Sequence, residues 1–203
     1  MSGTATIYAA ALEPSKGDIA KHFGEIEQLL GTYRVLDSDG EVGIETYVGT
    51  NVEGDIVQLP LSYRSADNAL DDAAGLTPLT HSVLGARSVS MATGDPVAVR
   101  EYISTIVTGD SGAEFSLGEP ILRIEGKGNN SEGGCTQVSI DSFGPHRSKG
   151  TATINGEDFL YELRFAERLV TADDIPAGNC LSGVGEKVNA SEVELARLEL
   201  AEA

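Results

Sequence analysis

The sequence predicts an α+β fold: a curved antiparallel sheet packed on helices, with additional strands in the C-terminal half. Three observations predict it. Two segments carry one apolar stripe each behind a recognisable cap, a block of period-2 alternation lies between them, and the second half is almost wholly β-patterned. No internal repeat or linker divides the chain. It reads as a single domain over 1–203, with one half spanning 1–110 and a β-rich continuation over 111–203 that ends in a short helix.

Residues 4–12 (TATIYAAAL) read as a first strand. Ser15 and Asp18 form a capping-box pattern with Asp in place of Glu. Ile19, Phe23, Ile26 and Leu30 then recur at helical spacing, Gly31 stands where such a helix stops, and His22 borders the stripe. The stretch DGEVGIETYV (39–48) begins a hairpin whose return strand is IVQLPLSYR (56–64). Val42, Ile44 and Val48 share one face, and Glu41, Gly43, Glu45 and Tyr47 the other. If the apolar rows match, Val48 pairs with Val57, Ile44 with Leu61 and Glu41 with Arg64, or else Glu41 faces Ser62 and Glu45 faces Gln58. Pro60 lacks an amide donor, so an edge or a bulge is expected there.

Residues 65–79 read as a polar connection and 80–91 (THSVLGARSVSM) as a strand, with Gly85 marking a bulge or a close backbone approach. Asp95–Pro96 opens a second helix with Val99, Tyr102, Ile103 and Ile106 on its stripe, ending before Gly109. Further strands are expected at 121–126, 136–142 and 150–154, with a loop at 128–134. Asn155–Gly156 is a type I′ hairpin signal. Phe159, Tyr161, Leu163 and Phe165 alternate after it, and the tail 189–202 (NASEVELARLELAE) reads as a short amphipathic helix.

With 203 residues and 40% hydrophobic content, the chain can bury a sizeable core. A formal net charge of −18 repels phosphate backbones and anionic headgroups, so neither nucleic acid nor membrane is expected as a partner. No apolar run approaches the roughly 18 residues of a membrane span. Cys135 and Cys180 lie far apart without C-x-x-C spacing, which points to a reduced, cytoplasmic setting.

Two acids in one motif raise the question of a hydrolase. Four residues along a strand separate the Cα atoms of Glu41 and Glu45 by roughly 13 Å, at about 3.3 Å per residue. Glycosidase carboxyls need about 5–9.5 Å, so the pair is expected to be structural or solvated. His22, His81 and His146 show no metal-ligand spacing, and no nucleophile elbow or phosphate loop is present. No catalytic residue, metal site or cofactor is therefore expected. His81 shares a face with Val83 and Arg87 and reads as a hydrogen-bonded, partly buried histidine. The alternative for His81 is ligand contact near Arg64 and Glu45.

The series EVGIE (41–45), QLPLSYR (58–64), HSVLG (81–85) with Arg87, and GDPV (94–97) resembles the N-terminal cap of bacterial maltokinases in order and spacing. The resemblance covers about residues 5–110 and extends loosely beyond, as in stand-alone cap-like proteins. It implies a cystatin-like arrangement, and a cap that in maltokinase precedes a body phosphorylating maltose with ATP. No ATP or catalytic-loop motif follows here, so the kinase body is expected to be absent. Family members carry a Trp-containing segment after HSVLG, where this chain has SVSM (88–91).

The expected function is a non-catalytic cap-like module that binds or regulates an enzyme of α-glucan, trehalose or maltose metabolism. The alternative is binding of a sugar or sugar phosphate on the concave sheet face, with Glu41, Glu45, Arg64, His81 and Arg87 as contacts. An enzyme acting on carbohydrates is a third reading. A homodimer could form through an edge near Pro60 or through the tail helix.

Overall fold

The computed structural model describes residues 3–130, 133–171, 175 and 178–203. Its elements are β1 (Thr4–Ala5), β2 (Leu12–Glu13), α1 (Lys16–Gly24), β3 (Gln28–Val35), β4 (Gly43–Thr50), β5 (Ile56–Ser65), β6 (Gly75–His81), β7 (Gly85–Met91) and α2 (Pro96–Thr108). The second half adds β8 (Glu114–Phe115), β9 (Arg123–Gly126), β10 (Cys135–Gly144), β11 (Arg147–Ile154), β12 (Glu157–Phe165), β13 (Cys180–Gly185) and β14 (Asn189–Glu202). The fold is α+β and antiparallel, with a curled sheet packed against helices. One six-stranded sheet runs β2-β6-β7-β5-β4-β3 and another runs β10-β11-β12-β14-β13-β9. A short parallel pair joins β1 to β8.

Both helix starts form as their caps dictate. The Ser15–Asp18 capping box is closed in both directions, and Asp95 accepts the amides of Val97 and Ala98 ahead of Pro96. Helix α2 stops at Gly109 in the left-handed region, as expected. Helix α1 ends earlier than its periodicity suggests, at Glu25 with φ 54°. Ile26 and Leu30 leave it because Gln28–Val35 pairs along β4. Their helical spacing is incidental to a turn followed by a strand.

The hairpin register corrects the expectation. Ile44 lies opposite Ser62, Glu45 opposite Leu61 and Thr46 opposite Pro60, so apolar and polar rows are mixed on each face. That expectation assumed one buried face, and this sheet has two. On one side, Tyr47, Leu59, Leu61, Leu79 and Val89 pack beneath Ile19 and Ala20 of α1. On the other, Tyr33, Ile44 and Val48 pack with Tyr102, Ile103 and Ile106 of α2 and with Leu163 and Leu195 of the second sheet. Thr46 and Gln58 on that side are buried and bonded, whereas the hydroxyls of Ser62 and Ser90 are buried with no hydrogen-bond partner among the described residues. Tyr102 shares a hydrogen bond of 2.7 Å with Thr46, and the Tyr33 hydroxyl donates to Gln58 Oε1 at 2.7 Å. Gln58 Nε2 in turn donates to the carbonyls of Leu195 and Ala166, tying the two halves together.

Other elements differ from expectation, among them the connection expected over 65–79, whose end from Gly75 on belongs to β6. Residues 4–12 are two short strands joined by a strap rather than one strand. Residues 80–91 are not one strand, because Gly85 at φ 76° turns the chain between β6 and β7. Pro60 lies in an interior strand of the sheet but one residue beyond the last β5–β7 pair at Leu61–Met91, so it is locally unpaired on that side, as its missing amide requires, while remaining buried. The tail is the strand β14, held between β12 and β13, where ladder hydrogen bonds on both sides override its helix-forming composition. Pro60 is buried and the tail is a strand, so neither place named for a dimer is an exposed edge or a helix. Asn155 and Gly156 adopt the two positive φ values their turn requires, and Tyr161, Leu163 and Phe165 line the core as expected. Residues 131 and 132 of the expected loop lie outside the described residues.

Leu195→Ala in β14 should lower stability by about 2–5 kcal/mol, the cost of a core truncation, whereas Arg197→Ala on the exposed face should change it by well under half of that. Urea denaturation of the two variants checks it; equal losses would contradict the bulge at Leu195 that sends two residues of one strand, two apart, to different faces.

Candidate functional site

Glu45 is the centre of the α1-facing side of the first sheet. It is 1% exposed, and its Oε1 accepts from Lys16 Nζ at 2.7 Å, Thr32 Oγ1 at 2.8 Å and Arg34 Nε at 3.2 Å. Each donor is placed by a regular element. Arg34 is the direct cross-strand partner of Glu45 on β3, Thr32 lies two residues along the same face, and Lys16 opens α1. Burial pushes the Glu45 carboxyl up, but Arg34 and Lys16, with the hydrogen bonds of Lys16 and Thr32, outweigh it. The net pKa lies below the usual carboxylate range. Oε2 is buried with no hydrogen-bond partner among the described residues. Beside the cluster, the hydroxyls of Tyr47 and Tyr63 share a hydrogen bond of 2.5 Å. Burial, and then the neighbouring charge of Glu45, keep the Tyr47 phenol protonated.

This side of the sheet opens into a cavity of about 340 Å³ under the N-terminal strap. Tyr8, Leu12, Leu79 and Leu84 supply apolar wall; Lys16, Arg34, Glu45, His81 and Arg87 supply the charged and polar wall. The strap is held by Ser116 Oγ, which accepts from the amide of Ile7 at 2.8 Å, and by Ser82 Oγ, which accepts from the amide of Ala11 at 3.0 Å. His81 Nδ1 accepts the amides of Val83 and Leu84 at 3.1 and 3.0 Å, which closes the β6–β7 turn. Its pKa is lowered by burial and then by Arg87, Lys16 and Arg34, so the ring is neutral and carries its proton on Nε2.

The five residues singled out from sequence are thus divided. Glu45, His81 and Arg87 line this cavity together. Arg64 points to the opposite face, where its Nε and Nη2 hold Asp95 at 2.8 and 2.6 Å. Asp95 is 0% exposed, so one carboxylate caps α2 and neutralises Arg64 at once. Glu41 is exposed in the turn before β4, with its amide donated to Asp37, and with Arg64 and Arg87 it lines a neighbouring cavity of about 740 Å³. Neither glutamate holds Arg64, contrary to the pairing expected from sequence. Arg34 has no sequence signal because the apolar spacing through Leu30 reads as helix and hides β3 with its Arg34–Glu45 pair, Tyr8 none because 4–12 reads as one strand, and Lys16 none because a helix start does not show what it faces. Among the described residues, no three His, Cys, Asp or Glu side chains group so as to hold a metal ion. Nor is any helix there long and apolar enough to cross a membrane.

In comparison with known families, residues 21–95 match the family model of the maltokinase N-terminal cap domain. The matched stretch runs from within α1 to the N-cap of α2 and includes Arg34, Glu45, His81 and Arg87. No curated protein matches the chain significantly.

The lowered pKa of Glu45 has a pH consequence. The unfolded chain binds more protons than the folded one between the depressed folded value and the ordinary value near 4.3, so stability rises with pH through that window. The contribution is complete above the ordinary range and lost as pH falls through the folded value. Urea midpoints measured from pH 6 down to 3 should fall more steeply for the wild type than for Glu45→Gln. Glu45→Ala should cost about 3–5 kcal/mol at pH 7 by leaving the Arg34 and Lys16 charges uncompensated.

Proposed function

We propose that the chain is a non-catalytic, cap-like module of the cytoplasm that binds or regulates an enzyme of α-glucan, trehalose or maltose metabolism. The match of residues 21–95 to the maltokinase cap domain carries this reading. The chemistry of the sheet supports it. Glu45 is held through Oε1 by three donors, Asp95 by Arg64 and two helix amides, and Asp37 by Arg100 and the turn amides of Glu41 and Val42. Carboxylates so held serve as struts, whereas acid–base catalysis needs a carboxyl free to exchange its proton at a reacting atom. The cavity wall also leaves Tyr8 and Leu84 exposed at 43% and 45%, and Val83, next to Leu84 in the β6–β7 turn, is 57% exposed, apolar surface of the kind protein partners cover.

Affinity purification from source cells with the tagged chain as bait should recover an enzyme acting on maltose, trehalose or an α-glucan. That enzyme, once purified, should co-elute with the chain on size exclusion and change its rate when the chain is added. Recovery of no such enzyme, or of one that neither co-elutes nor responds, would contradict the proposal.

A further inference from the structure

The chain carries a formal charge of −18, yet the cavity under the strap is lined by three cations, Lys16, Arg34 and Arg87, against one acid, Glu45. Glu45 is already shared between Lys16 and Arg34. Arg87 stands apart from that cluster. It projects from β7 on the same face as Leu79 and Val89, is half-buried, and makes no ion pair among the described residues. A guanidinium partly removed from water without a counterion loses solvation that nothing returns, and burial alone is what lowers its affinity for its proton. Arg64, its neighbour across the sheet, shows the contrast: it faces the other way and is neutralised by Asp95.

The rest of the wall defines what could supply the missing charge. About 340 Å³ is the size of a small-molecule site. Tyr8, Leu12, Leu79 and Leu84 offer apolar contact, and neutral His81 offers an N–H donor without adding charge. A planar five-donor fork beside an apolar wall matches the two oxygens of a carboxylate or a phosphate ester. We infer that the cavity under the N-terminal strap binds a small organic oxyanion, a phosphate monoester or a carboxylate on an apolar body, through the guanidinium of Arg87. The site does not depend on the partner-binding reading, since a pocket of this kind can fill whether or not an enzyme docks.

Isothermal titration of the full chain tests it with phenyl phosphate, benzoate, inorganic phosphate, phenol and benzylamine. One saturable site is expected for phenyl phosphate or benzoate, weaker for inorganic phosphate, and at least about tenfold weaker for phenol, as loss of a charge-assisted hydrogen bond implies. The stronger of phenyl phosphate and benzoate assigns the site to phosphate esters or to carboxylates. Arg87→Met should weaken that anion about tenfold or more, while Arg123→Met, exposed and outside the cavity, should leave it unchanged. Should Arg87→Met fail to fold, Arg87→Lys and amide NMR shifts keep the test intact, with shifts expected at Arg87 and His81. No saturable binding of either anion at millimolar concentration, equal binding of phenol or benzylamine, undiminished binding in a folded Arg87→Met, or shifts that avoid β7 would each overturn the inference.

Discussion

The N-terminal half of this protein depends on a sheet buried on both faces. Once α1 covers one side of β3, β4 and β5, and α2 with the second sheet covers the other, alternate residues of β4 are all buried. A charged residue in that strand cannot reach water, and removing an ionised carboxylate from water costs several kcal/mol even after relaxation. Glu45 occupies such a position. Two cations and a hydroxyl converge on its Oε1, from α1 and from two places on β3, and their attraction offsets the desolvation. The helix start, the β3–β4 register and the sheet face are therefore linked through one oxygen atom.

The same double burial sorts the arginines. Alternation along β5 and β7 sends Arg64 to the α2 side and Arg87 to the α1 side. On the α2 side the helix cap Asp95 awaits Arg64. On the α1 side the one carboxylate is already engaged, so positive charge accumulates beside an apolar wall in an otherwise acidic molecule. The cap-domain match covers Arg34, Glu45, Arg64, Arg87 and Asp95 but neither Lys16 nor the strap. The β-rich continuation is joined to the matched segment through the core and through Gln58, whose amide reaches the carbonyls of Ala166 and Leu195.

Much of the fold was legible where a short signal had a local cause. The Ser15 and Asp95 caps, the Gly109 stop and the Asn155–Gly156 turn each follow from the geometry of a few residues, and all formed as read. What failed required knowing the third dimension. The hairpin register was misread because Gln58 and Ser62 look like solvent-facing residues, and only the second half of the chain supplies the carbonyls that let Gln58 be buried. The tail was misread because VELARLEL suits a helix until strands flank it on both sides. Of the candidate site, Glu45, His81 and Arg87 were visible, while Arg64 and Glu41 fell elsewhere and Lys16 and Arg34 were missed. Ion pairs across strands are legible only when both strands are, and β3 lay hidden behind an accidental helical spacing.

Glu45 is an ionised strut inside the protein rather than an acid that titrates in the ordinary range. A ¹³C NMR titration of the Glu45 carboxyl carbon tests this most directly, because it reports that one group irrespective of unfolding elsewhere. The expected pKa lies below the ordinary glutamate range and rises toward that range in Arg34→Met. A value at or above the ordinary range, unmoved by removal of Arg34, would contradict it.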